Sequence, residues 1–167
     1  MMWRRLARLR VPLGFAAFGL CLWLSSPTPG SIAAGAAIAL IGQALRVWAA
    51  GHIEKGREVT QSGPYRLMRH PLYVGSSIMG VGFAVAAASL ATAVLVLGYF
   101  LVTYVASVRT EEATLDERFD GAYSAYRDGK SSDVQRKFSA QRAFGLNKEY
   151  RSVAGFVLVF ALLWFWI

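Results

Sequence analysis

Two short clusters carry the groups best suited to chemistry: Arg69-His70-Pro71-Leu72-Tyr73-Val74-Gly75 and, further along, Arg109-Thr110-Glu111-Glu112. Proline suits the first position of a helix, because its missing N–H would be unsatisfied there in any case. His70 then falls at the N-cap, where free backbone N–H groups and the helix dipole favour an anion such as a carboxylate or phosphate. Arg69 would add a directed cation, and Tyr73 lies in the first turn. Glu111 and Glu112 can accept bonds from a ribose diol or hold a charged group, while a histidine positions a group or moves a proton. The same residues also suit plainer work. Arg69 and His70 can anchor a helix to headgroups, Tyr65 and Tyr73 can be interfacial aromatics, and Gly75, Ser76, Gly80 and Gly82 can form a packing surface. His52 and His70 are the two histidines and Cys21 the one cysteine, so no metal-ligand spacing is present. No Gly-rich phosphate loop or serine nucleophile elbow occurs either.

The elements that must position these groups are written in the hydropathy pattern. The 167 residues are 55% hydrophobic with mean hydropathy +0.39, yet carry a net charge of +8. The charges come in blocks between long uncharged runs, which points away from a nucleic-acid binder and toward an integral membrane protein. The expectation is an all-α, polytopic helical bundle, a single membrane domain over residues 1–167. Its five spans fall near 11–26, 31–50, 71–88, 90–108 and 151–167, with polar loops at 51–70 and 109–150. The basic head and first apolar run also describe a signal peptide. The lack of a convincing lipobox before Cys21 and the closeness of the next run favour a retained helix. Arg46, near the inner end of the second span, is expected to snorkel to the interface.

Four basic residues precede the first span, four lie in the 51–70 loop and nine in Arg109–Arg151, with Arg46 completing the 18. The positive-inside rule then puts the N-terminus and both loops in the cytoplasm and the C-terminus outside, in a bacterial inner membrane. Trp164-Phe165-Trp166 forms an aromatic belt at that outer end. Leu115, Phe119, Tyr123 and Tyr126 mark one stripe of a cytoplasmic amphipathic helix. Glu111, Glu112, Asp116 and Glu117 surround its expected start, where the dipole welcomes negative charge. Such a helix can lie on the membrane or fold as a lid. The third and fourth spans form a hairpin, which returns Arg109–Glu112 to the membrane face of Arg69–His70.

GPYRLMRHPLYVG at 63–75, followed by RTEEATLDERFDGAYSAY at 109–126, resembles the isoprenylcysteine carboxyl methyltransferase family, itself similar to the phospholipid methyltransferases. The resemblance runs from Ala44 to Arg127. It implies a membrane enzyme that transfers a methyl group from S-adenosylmethionine to a lipophilic acceptor at the cytoplasmic face. By position, Tyr65, Arg69, His70, Pro71, Tyr73, Gly75, Glu111 and Glu112 match its cofactor-binding residues, with Gly63 and Pro64 leading in. Arg109 and Glu112 match its catalytic positions, Arg109 orienting an acceptor carboxylate. Such a nucleophile is already anionic, so alignment and desolvation would carry most of the catalysis.

Asp120 stands where the family commonly has glycine, and the basic stretch Lys130–Lys148 with a fifth span replaces a short tail. These departures bear on the acceptor, which a prenylated protein, a small lipid, an isoprenoid acid or a thiol would satisfy. The expected partners are the lipid bilayer and that acceptor, and no nucleic acid. Two other readings stay open. One is an NADPH-dependent enzyme similar to sterol and steroid reductases, which share an Arg-His-x-x-Tyr loop but often have Asn where Leu72 stands. The other is a non-enzymatic membrane scaffold.

Overall fold

Thr28-Pro29-Gly30-Ser31 starts the helix on which the others pack. In the computed structural model Thr28 and Ser31 form a reciprocal capping box, Ser31 N donating to Thr28 Oγ1 at 3.1 Å and Thr28 N to Ser31 Oγ at 2.9 Å. Pro29 takes the first helical position. The structure describes residue 14 and residues 16–54, 60–118 and 136–167; for 103, 105–107 and 109–118 it gives the helix path alone. Among the described residues every regular element is helical. α1, described over 16–23, leads to α2 (Pro29–Ala50), a 3-10 turn (Gly63–Arg66), α3 (Pro71–Ala87) and α4 (Leu90–Arg118). A π-helical α5 (Gln141–Leu146) and α6 (Tyr150–Phe165) complete the order.

α2 and α3 pack antiparallel through small residues. A Cβ on Gly35 would collide with the Gly82 carbonyl and sit 2.6 Å from Ala86 Cβ. One on Gly82 would lie 2.6 Å from Ala39 N. Such backbone-to-backbone approach is how helices associate where no water drives them together. The start of α2 and the end of α3 are tied as well, Ser26 N and Ser31 Oγ donating to the Ala87 and Ala86 carbonyls, each at 2.9 Å. Ala88, at φ 49, takes the left-handed cap that turns α3 into α4. Thr92, fully buried, donates to the Cys21 carbonyl at 3.2 Å and joins α4 to α1. Leu163 of α6 closes the core against Ile32 and Ala86.

Helix ends follow the apolar runs closely at 31–50, 71–88 and 151–167. α2 is the one helix, among the described residues, long and apolar enough to cross a membrane; α3, α6 and the apolar part of α4, Leu90–Val102, are shorter. Two expectations change. α4 runs unbroken for 29 residues to Arg118, so Glu111, Glu112, Asp116 and Glu117 continue an existing helix instead of starting a new one. The dipole argument for their placement therefore fails. The 109–150 block is not simply a loop, because it holds the end of α4 and all of α5. Phe119, Asp120, Tyr123 and Tyr126 lie outside the described residues, as do the basic head and Lys55 and Arg57.

Candidate active site

His70 caps α3 with its backbone, its carbonyl accepting from Tyr73 N at 3.1 Å and Val74 N at 3.0 Å. Pro71 behind it is fully buried, while Arg69 is exposed and His70 half-buried. Tyr73 meets the His70 ring at 6.0 Å and stands edge-on to Tyr104 of α4 at 5.6 Å. Edge-to-face pairs of this kind tie the first turn of α3 to α4. At about 1.5 Å of rise per residue, the α4 backbone at Arg109–Glu112 lies roughly 8–12 Å beyond Tyr104, past the start of α3. Both clusters therefore share one end of the α3–α4 pair.

Two other motif residues sit differently. Tyr65 is buried in the 3-10 turn. Gly75 faces α2, where a Cβ would lie 2.7 Å from Arg46 Cγ and 2.8 Å from the Gly42 carbonyl. Its lack of a side chain lets the Arg46 stem pass.

Arg46 does not snorkel. Its guanidinium forks onto Glu149, Nε donating to Oε1 at 2.7 Å and Nη2 to Oε2 at 3.1 Å. Nη1 donates to Ser76 Oγ at 2.5 Å and, more weakly, to the Leu72 carbonyl at 3.4 Å. Nε is shared with Ser152 Oγ at 3.1 Å, and Ser152 in turn donates to Gln43 Oε1 at 2.9 Å. The Glu149 side chain is 6% exposed. A buried carboxylate is tolerated only with such a partner, so the inward turn of Arg46 follows from the position of Glu149.

The segment after residue 135 works as a strap over the end of α2. Helix C-termini leave carbonyls without intrahelical partners. Asn147 Nδ2 reaches the Ala50 and Ile53 carbonyls at 2.8 and 3.0 Å, and Arg142 Nη1 reaches that of Gly51 at 2.6 Å. Glu54 pairs with Arg136 at 2.8 Å and Arg142 at 3.4 Å. The Phe138 ring presses on Gly51. His52, buried between Trp48 and Phe138, shares its Nδ1 with the Trp48 carbonyl at 2.9 Å. His52 also covers Gly63, whose φ of 59 suits glycine.

Between α1, α3, α4 and α6 lies a cavity of about 560 Å³, within the range of small-molecule sites. Phe18, Phe83, Tyr99, Phe156 and Phe160 form its walls. Arg46, Ser76, Arg151 and Ser152 lie together at the polar end. That end sits one helical turn from Tyr73.

The phospholipid methyltransferase family model matches residues 30–122, more than half of the chain. The chain belongs to the phospholipid methyltransferase family. Two curated relatives are similar over stretches of comparable length. The cobalt-zinc-cadmium resistance protein CzcN of Cupriavidus metallidurans is 41% identical over 88 residues, 51% of this chain and 39% of that protein. The nickel-cobalt-cadmium resistance protein NccN of Alcaligenes xylosoxydans xylosoxydans is 33% identical over 101 residues, 58% of this chain and 45% of that protein. The chain thus spans less than half the length of the curated relatives it matches. No solved structure matches.

The phospholipid methyltransferase segment holds both clusters, the helices α3 and α4 that bear them, and α2 from its second residue on. α1, Glu149 and α6 lie outside it, yet α1 and α6 supply half of the cavity wall and Glu149 is the partner of Arg46. Sequence reasoning missed Glu149, Asn147 and Arg142. The available signal was faint: a carboxylate directly ahead of one apolar run and an arginine at the inner end of another.

Proposed function

We propose that this chain is an S-adenosylmethionine-dependent methyltransferase acting on a lipophilic acceptor at the cytoplasmic face of a membrane. The observation that carries this is the apolar cavity whose polar end adjoins the first turn of α3. Family membership supplies the reaction class, and an apolar chamber beside the motif suits an acceptor with a hydrocarbon body. The donor set also fits the cofactor. The N-terminus of α3 with Arg69 suits the methionine carboxylate, and Glu111 and Glu112 suit its ammonium and ribose. Ahead of the motif, Thr60 Oγ1 and Ser62 Oγ are buried without a hydrogen-bond partner among the described residues, leaving polar groups for a ligand.

Bound S-adenosylmethionine supplies an electrophilic methyl group. In this reading Arg69, His70, Tyr65, Tyr73, Glu111 and Glu112 hold and orient it, with Pro71 and Gly75 shaping the helix start. Arg109 turns an acceptor carboxylate, of the isoprenylcysteine kind, toward the methyl group, with Glu112 beside it. The aromatic walls exclude water, so alignment and desolvation do most of the work. The same reading makes the chain one membrane domain of five spans, N-terminus inside and C-terminus outside, in a bacterial inner membrane. Outward apolar side chains on α4 and α6 support it: Leu97 is 72% exposed, Leu158 60% and Phe165 85%, as a lipid-facing surface would be.

Equilibrium binding of radiolabelled S-adenosylmethionine to detergent-purified protein, with NADPH in parallel, tests the proposal. Saturable binding of the first is expected. Its absence beside clear NADPH binding would replace this reading with the reductase-like one, and absence of both would leave a scaffold.

A further inference from the structure

We propose that Arg46 and Glu149 are positioning residues for the cofactor site, a role that rests on the methyltransferase reading above. Neither residue belongs to the two motif clusters, and Glu149 lies beyond the family-matched segment. Their arrangement nevertheless ends on the motif. The guanidinium spends two donors on Glu149 and directs Nη1 to Ser76 Oγ. Ser76 passes the contact on, its hydroxyl donating to the Leu72 carbonyl at 2.9 Å. Leu72 stands between Pro71 and Tyr73, so this chain of bonds fixes the rotation of α3 at the turn that carries His70 and Tyr73.

Geometry favours orientation over mere adhesion. α2 and α3 already touch backbone to backbone at Gly35–Gly82 and Gly42–Gly75. Those contacts are apolar, so the directed polar bonds of Arg46 add an orientation that close packing alone does not impose. A buried, forked ion pair has one favourable arrangement, and registry is the best-attested use of such pairs. Gly75 is bare where the Arg46 stem crosses it, so motif glycine and half-buried arginine form one device. Through Glu149 and Ser152 the same guanidinium joins α6 to the motif turn, and with it the α6 wall of the cavity.

The experiment uses the full chain in lipid nanodiscs, comparing wild type with Ser76→Ala, Glu149→Gln and Arg46→Lys. Three quantities are read: the dissociation constant for radiolabelled S-adenosylmethionine per folded protein, the melting temperature, and hydrogen exchange of the amides at 72–76. Ser76→Ala keeps the ion pair and removes the shorter of the two bonds from Arg46 to α3, leaving the weak one from Nη1 to the Leu72 carbonyl. It is expected to weaken cofactor binding by roughly three- to thirtyfold, the scale of coupling through such networks, with exchange accelerated at 72–76 and little change in melting temperature. Arg46→Lys keeps the charge but loses the fork and should weaken binding as well. Unchanged affinity in folded Ser76→Ala and Glu149→Gln would overturn the proposal. If wild type binds no S-adenosylmethionine, the methyltransferase reading fails. The positioning role, which rests on that reading, then falls with it, whereas cofactor binding by wild type that folded Ser76→Ala and Glu149→Gln retain in full overturns the positioning role alone.

Discussion

Gly42 and Gly75 face each other across α2 and α3 with room for a side chain on neither. A Cβ on Gly42 would lie 2.5 Å from the Gly75 carbonyl oxygen, and one on Gly75 2.8 Å from that of Gly42. Both obstacles are backbone, which cannot rotate away. Gly42→Val should therefore push the helices apart and cost about 1–3 kcal/mol, read as a fall in melting temperature in detergent. Gly98 on α4 has nothing within 4 Å of a built Cβ. Gly98→Ala should leave stability unchanged or raise it by up to about 1 kcal/mol through helix propensity. Equal effects of the two substitutions would refute the packing argument.

Removing one member of the buried ion pair leaves the other charge without compensation. Arg46→Ala should cost about 3–5 kcal/mol, because Glu149 remains 6% exposed. The double change Arg46→Met with Glu149→Leu removes both charges and should recover most of that loss. Chemical denaturation of the two variants side by side provides the comparison. A double variant as unstable as Arg46→Ala would show that shape, and not unpaired charge, dominates.

Asn147→Ala takes away the amide that serves the Ala50 and Ile53 carbonyls. Leaving such groups unmet costs about 1–3 kcal/mol. The loss should be local. Limited proteolysis or hydrogen exchange should show fraying of α2 near residues 50–54 before any change elsewhere in the bundle.

Gly63→Ala meets two penalties, a left-handed φ of 59 and the His52 ring, whose Cδ2 would lie 2.6 Å from the added Cβ. The backbone part alone costs about 1–2 kcal/mol. Pairing it with His52→Ala should relieve the ring contact but not the φ penalty. Thermal melts of the single and double variants separate the two contributions.

His70→Ala and Glu112→Gln should each weaken S-adenosylmethionine binding by about ten- to a hundredfold, the worth of a hydrogen bond to a charged group. Expression and membrane insertion should stay intact. Normal binding by both variants would move the cofactor away from the shared end of α3 and α4.

Much of the scaffold was written in local chemistry. Thr28-Pro29 and His70-Pro71 start helices because capping and proline act within a few residues. Apolar runs set the lengths of α2, α3 and α6. The acidic stretch from Glu111 was misread because the polar character that ends an apolar run does not end a helix, and α4 simply continues through it. Arg46 was misread for a different reason. Its partner lies 103 residues away, and nothing local distinguishes an arginine that snorkels from one that turns inward. The sequence by itself determined where α2, α3, α4 and α6 start and where the two motif clusters lie. Only the tertiary structure decided that Gly75 gives passage to Arg46, that the 136–149 strap caps α2, and that Glu149 joins α6 to the motif turn. Those are contacts between distant segments, and burial makes them specific by leaving a charge or a carbonyl no other partner.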